Sequence, residues 1–154
     1  MENQFSFFSI LQNKLNKEIE KATLDNQSKG KIYLGKVSEK VVIKIKSLVD
    51  IDVSNRIHVL SDNDIRHMLN EHGDPKKESK KNQIAITEND ISKIPEIINF
   101  YDNIENGNDN KSEKTIRYIK NYDDGITYLV EVIPEKSKTL KIKTMWKKPT
   151  RVAN

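Results

Sequence analysis

Apolar residues recur along the first two thirds of this chain at helical spacing and along the last third in alternation, and the change of rhythm sets the expected fold. Phe8, Leu11, Leu15, Ile19 and Ala22 return every three or four positions, with Lys14, Lys17, Glu18 and Lys21 between them. This spacing predicts an amphipathic helix over 5–24, broken by Asn26-Gln27-Ser28-Lys29-Gly30. Residues 32–37 read as a strand. Ser38 is placed to N-cap a helix reaching about Val49, with Val41, Val42, Ile45, Leu48 and Val49 on its apolar side. A short strand over 55–60 leads to Ser61, a second N-cap, followed by Asp62 and Asp64 where the helix dipole favours acids. Gly73 is the expected stop. Residues 74–82 read as a charged loop. Thr87 and Asp90 form a weak capping box for a helix buried on Ile91, Ile94, Ile97 and Ile98, which Pro95 shortens or tightens. A loop over 103–112, rich in Asn, Gly and Asp, precedes three strands at 114–121, 126–133 and 139–147. Asp123-Asp124-Gly125 and residues 134–138 supply the turns of an antiparallel meander. Helices first and a sheet afterwards make an α+β plan.

Composition narrows the picture. The 154 residues suit one domain, and 35% hydrophobic against 32% charged residues allows one modest core. The chain has no cysteine, which excludes disulfides, thiolate metal sites and a cysteine nucleophile. A net charge of +4 says little by itself. Its placement says more: Lys136, Lys138, Lys141, Lys143, Lys147, Lys148 and Arg151 form a cationic band of the kind that attracts phosphates, or else the solvated edge of a sheet. Near the start, Phe5, Phe7, Phe8, Ile10 and Leu11 are interrupted by Ser6 and Ser9 and preceded by Glu2, unlike a signal peptide. No stretch approaches the roughly 20 apolar residues of a membrane span. A soluble protein of the cytoplasm is expected.

Histidine carries the first candidate chemistry. His58, His67 and His72 all lie within fifteen residues, and imidazole can give and take a proton near neutral pH. His67 and His72 are five apart, a turn of roughly 140° on a helix, so they do not share a metal-binding face. No metal and no cofactor is expected. Ile65, Met68, Leu69 and His72 follow at i, i+3, i+4 and i+7, which sets His72 on the packed face and His67 nearly opposite, near Asp64 and Glu71. A buried histidine bonded to a carbonyl and a solvated histidine paired with a carboxylate are the plain alternatives.

The last strand carries the second. Strict alternation places Leu140, Ile142, Thr144 and Trp146 on one face and Lys141, Lys143, Met145 and Lys147 on the other. Trp146 can stack on a base and the lysines can hold phosphates, or these residues are core and solvated edge. Tyr118 and Lys120 share one face of their strand, with Arg117 on the other, and a tyrosine or lysine there can meet a phosphate. There is no P-loop, nucleophile elbow, metal carboxylate cluster or helix-turn-helix pair.

Three segments in order carry a resemblance: Ser61-x-x-Asp64-Ile65-x-His67-x-x-x-x-His72-Gly73, then Ile86-Thr87-x-x-Asp90-Ile91-x-x-Ile94-Pro95-Glu96-Ile97-Ile98, then residues 140–147, Leu-Lys-Ile-Lys-Thr-Met-Trp-Lys. Together the chain resembles the phage-associated barnase–EndoU–colicin–RelE-like nuclease domains, from about Gly30 to Lys148. The resemblance implies helices packed on one face of a roughly four-stranded antiparallel sheet over 30–148, preceded by a helical extension over 1–28 and followed by a tail over 149–154. It implies a metal-independent ribonuclease, a toxin or phage effector, in which a base frees the ribose 2′-hydroxyl to attack phosphorus and an acid protonates the leaving 5′-oxygen. The family's histidine motif falls on His72 and His67 and its strand threonine on Thr144. Lys120, Tyr118 and Lys143 are the electrostatic candidates. RNA, tRNA included, is the implied substrate, with an immunity protein or a larger phage or toxin protein as further partners and no membrane. A non-catalytic basic module that binds RNA or protein is the alternative. Two demands follow: a regular helix cannot aim both histidines at one phosphate, and Thr144 needs a twist, bulge or edge cleft to leave the apolar face.

Overall fold

The structure, a computed structural model, describes residues 2–107 and 113–150, with side chains from residue 7 onward. Arg151 of the basic band, the 108–112 part of the expected loop and the side chain of Phe5 lie outside the described residues. The order is α1 (Glu2–Leu24), β1 (Lys31–Lys36), α2 (Glu39–Val49), β2 (Ile57–Ser61), α3 (Asp62–His72), α4 (Pro75–Lys80), α5 (Glu88–Ser92), α6 (Ile94–Phe100), β3 (Asn103–Asn106), β4 (Lys114–Tyr122), β5 (Gly125–Ile133) and β6 (Thr139–Lys148).

Local chemistry sets the helix ends. The Ser38 hydroxyl accepts from the Val41 N–H, and the Ser61 hydroxyl accepts from Asp64 N–H at 3.1 Å. Thr87 and Asp90 close a full capping box. Pro95 sits in the first turn of α6, where its missing N–H costs nothing, so the expected single helix is two short ones. Residues 74–82, expected as a loop, contain α4, capped by the Asp74 side chain and begun by Pro75.

The sheet has six strands in the order β1-β2-β6-β5-β4-β3, and it is mixed, since β2 runs parallel to β6 while the other pairs are antiparallel. This corrects the four antiparallel strands expected. The meander β4–β5–β6 is there, but β2 joins its open edge through a crossover holding everything from α3 to β5, and β1 pairs outside β2. On the far edge β3 adds to β4 with one buried residue, Ile104, too little apolar alternation to announce a strand.

Every described helix except α4 contributes to one core. Leu11, Leu15, Ile19 and Ala22 of α1 are buried with Leu34, Ile65, Met68, Ile91, Ile97, Tyr118, Leu129 and Met145. Helix α1 packs on α3, α5, α6 and β1, so the N-terminal helix is an integral layer and not an appended arm. The covered face of the sheet carries Ile116, Tyr118, Leu129, Glu131, Leu140 and Ile142, all fully buried. The opposite face is open over much of β4, β5 and β6, and that asymmetry positions the site.

Candidate functional site

Alternation along β6 is interrupted once. Val130 of β5 pairs with Thr144, yet Glu131 pairs with Ile142, so Lys143 is an extra residue in β6. A bulge of this kind shifts the parity of every side chain beyond it. Leu140 and Ile142 point into the core, and so do Met145 and Lys147, while Thr144 and Trp146 come to the open face. The face expected to hold Leu140, Ile142, Thr144 and Trp146 together is therefore corrected, and the bulge meets the demand that Thr144 be turned outward.

Lys147 is the price of that parity. Its ammonium is buried and held by Asp90 at 3.0 Å and Asp124 at 2.6 Å. Burial pulls its pKa down, but the hydrogen bonds it donates to Asp124 and Asp90 outweigh burial and hold it above the usual lysine value. The same contact holds the Asp124 carboxyl below the ordinary range. Lys147 thus ties α5 and the β4–β5 turn to β6, and is not a phosphate contact.

On the open face a row of rings crosses β5 and β6. Trp146 stacks on Tyr128 with centroids 5.4 Å apart and planes 9° from parallel. The Arg117 guanidinium lies 5.8 Å from the Trp146 centroid and 5.9 Å from that of Tyr128, within cation–π range of both. Glu105 on β3 fixes the guanidinium, accepting from Arg117 Nε at 2.8 Å. The His72 ring stands 6.3 Å from Trp146 at the other end of the row, brought there because α3 packs on β6.

His72 ends α3 and is largely but not fully buried, its side chain 15% exposed. Its backbone carbonyl accepts from Ile86 N–H at 2.7 Å, and its Nδ1 lies 3.2 Å from Glu78 Oε2. Glu78 is fully buried and comes from α4, which the Asp74 cap and Pro75 start one turn beyond His72. A carboxylate on Nδ1 selects the tautomer that leaves Nε2 as the basic nitrogen. Among the described residues nothing hydrogen-bonds that Nε2. The Thr144 hydroxyl is shut from solvent and has no hydrogen-bond partner among the described residues, an uncompensated cost of the kind that collects at working sites.

The structure separates the other expected residues. His67 is half exposed on the outer side of α3 and pairs with Glu71 at 3.2 Å, away from His72. Tyr118 and Lys120 lie on the helix-covered side of β4. The Tyr118 hydroxyl is buried and donates to Glu131 Oε1 at 2.7 Å; burial first, and the neighbouring carboxylate second, push its pKa well above the phenol range. Lys120 donates to the Phe100 carbonyl at 2.6 Å. Neither faces the open side of the sheet; Arg117, on the opposite side of the same strand, is the residue that reaches it. Lys143, the bulged residue, faces Glu113 at 3.7 Å. His58 is buried with Nδ1 2.6 Å from Glu131 Oε2. Glu78, Arg117, Tyr128 and Glu105 were not foreseen as site residues. The one signal was Arg117 opposite Tyr118, since choosing the open face chooses the arginine.

Among the described residues no three His, Asp or Glu side chains gather in a way that would hold a metal ion, and no helix is long and apolar enough to cross a membrane. A mixed sheet covered by helices on one side, with arginine, threonine and stacked rings on the other and a histidine beside the end of the ring row, is the frame of a nuclease-like α+β domain. The chain belongs to the family described as phage-Barnase-EndoU-ColicinE5/D-RelE like nuclease 3, whose model matches residues 35–154. No curated protein and no solved structure matches it.

Proposed function

We propose that this protein is an endoribonuclease that works without a metal, cleaving RNA by attack of a ribose 2′-hydroxyl on the adjacent phosphate. The observation that carries the reading is the His72–Glu78 pair beside Trp146, the ring over which Arg117 lies. Glu78 keeps the proton on Nδ1, so Nε2 takes the 2′-hydroxyl proton as general base. As oxygen attacks phosphorus, negative charge gathers on the non-bridging oxygens. Arg117, oriented by Glu105, offers a planar fork of donors to that charge. The leaving 5′-oxygen takes a proton from solvent water and Nε2 returns its own to solvent, so the products are a 2′,3′-cyclic phosphate and a free 5′-hydroxyl. In this reading His67, Tyr118 and Lys120 take no part. The protein acts on RNA, tRNA included, in the cytoplasm of a host or target cell, as a phage effector or toxin with an inhibitory protein partner.

The test is incubation of the purified protein with tRNA and ribosomal RNA in EDTA, beside His72→Ala and Arg117→Ala. Discrete fragments ending in 2′,3′-cyclic phosphate, lost in both variants, are the expected result. Intact RNA with the wild-type protein would sink the reading and leave a non-catalytic module that binds RNA or protein.

A further inference from the structure

The same face of the sheet continues past the site onto β2 and β1, buried at Val59 and exposed again at Ile57 and Tyr33. Tyr33 pairs with Val59, and Val59 pairs with Lys141, so these residues form one row across β1, β2 and β6. Their strand neighbours Leu34, Leu60, Leu140 and Ile142 are buried, which puts Tyr33 and Lys141 on the same face as Thr144 and Trp146. Tyr33 is 56% exposed, and among the described residues neither its hydroxyl nor its ring has a partner. Beside it, Ile57 is also exposed, on the strand between β1 and β6.

Lysines surround this ring. Lys31 lies two residues before Tyr33 on β1, Lys36 pairs with Ile57, and Lys141 ends the row. All three are exposed, and no carboxylate contacts any of them among the described residues. Lys143, Lys147 and Arg117, by contrast, are each held by an acid. An exposed aromatic framed by uncompensated cations is the pairing that binds unpaired nucleotides, since the ring stacks a base while the ammonium groups follow the backbone.

We infer that Tyr33 is a second base-stacking subsite, and that the ligand of this face is a single-stranded RNA segment several nucleotides long. The inference rests on RNA as the substrate. From Trp146 to Lys141 the path covers five residues of β6, roughly 16 Å, and two further strand spacings to Tyr33 add roughly 10 Å across the sheet. A dinucleotide at the His72 end does not reach Tyr33. A longer strand does, and a duplex cannot offer Tyr33 an unstacked base.

The experiment measures fluorescence anisotropy of labelled 2′-O-methyl RNA, which cannot be cleaved by 2′-hydroxyl attack, as a dinucleotide, a single-stranded octamer and the same octamer in duplex. Tyr33→Ala is expected to weaken the single-stranded octamer by about 5- to 100-fold, with the dinucleotide and duplex unchanged and with Tyr33→Trp restoring affinity. Lys141→Gln should make the salt dependence of octamer binding shallower by about 0.7 in log–log slope. Octamer binding that ignores Tyr33→Ala would overturn the subsite and leave the cleavage reading standing. Failure of the wild-type protein to bind any of the RNAs would overturn both.

Discussion

His58–Glu131 and His72–Glu78 are the same chemical pair in two surroundings. In each, a glutamate Oε2 lies against imidazole Nδ1, at 2.6 Å and 3.2 Å respectively. The first is sealed beneath the sheet, its carboxylate also bound by the Tyr118 hydroxyl, so that β2, β5 and β4 are joined by one polar seam in the core. The second stands at a helix end beside Trp146. Hydrogen-bond inventory alone does not tell a structural pair from a reactive one. What separates them is the surroundings: the inner pair has both carboxylate oxygens on neighbours within the core, while the outer pair stands against Trp146 at the end of the ring row.

The contrast breaks most sharply at Glu131. Removing one partner of a buried pair leaves the other uncompensated, so Glu131→Ala should cost about 3–5 kcal/mol in urea unfolding. RNA cleavage per folded molecule should hold. A collapse of cleavage at intact fold would mean that the inner seam takes part in the reaction. His72→Ala should lose about 10²- to 10⁴-fold in cleavage rate per folded molecule, and its unfolding midpoint should fall as well, since the substitution leaves the buried Glu78 uncompensated. Glu78→Gln sharpens the comparison, because glutamine keeps the shape but not the charge. A smaller loss than that of His72→Ala is expected, together with a displaced pH–rate profile, whereas an unmoved profile would deny Glu78 its hold on the ring.

Alkali separates the two seams by stability. The folded state keeps the Tyr118 proton above the ordinary phenol pKa, while the unfolded chain gives it up near pH 10. The stability contributed by the neutral hydroxyl is therefore complete below about pH 10 and declines as pH rises beyond it. Urea midpoints at pH 8 and 11 should fall less in Tyr118→Phe than in the wild type. The slope is reduced and not abolished, since Tyr122 is shifted the same way by burial and by Glu96. The smallest effect is expected at Lys120, whose bond to the Phe100 carbonyl lies on the covered side. Lys120→Ala should leave cleavage unchanged and alter stability by about 0.5 kcal/mol, as surface substitutions usually do.

What could be read from the sequence was what neighbours along the chain decide. Ser38, Ser61 and Thr87 cap helices three residues away, and Ile65, Met68 and His72 share a helix face by spacing alone, so those elements were visible. The bulge at Lys143 was not, because register belongs to the partner strand: Glu131 sits opposite Ile142 only once β5 is beside β6. Parity read straight along β6 then assigned Trp146 to the core and Lys147 to the surface. Glu78 was hidden for a related reason. In a run of lysines a glutamate reads as solvent-exposed, and its burial follows from α4 folding back over the end of α3. Strand β3 offered a single buried isoleucine among polar residues, and its pairing to β4 is a tertiary event.

Trp146 is the chain's only tryptophan, and it stands between the His72 ring and the stacked Tyr128. Its ultraviolet emission is therefore the emission of the site, uncontaminated by any other indole. Phosphate entering beside Arg117, a base displacing Tyr128 or a change of charge on His72 each alters the surroundings of one fluorophore. The unlabelled protein carries its own optical gauge of occupancy, readable in the same cuvette as the unfolding transition.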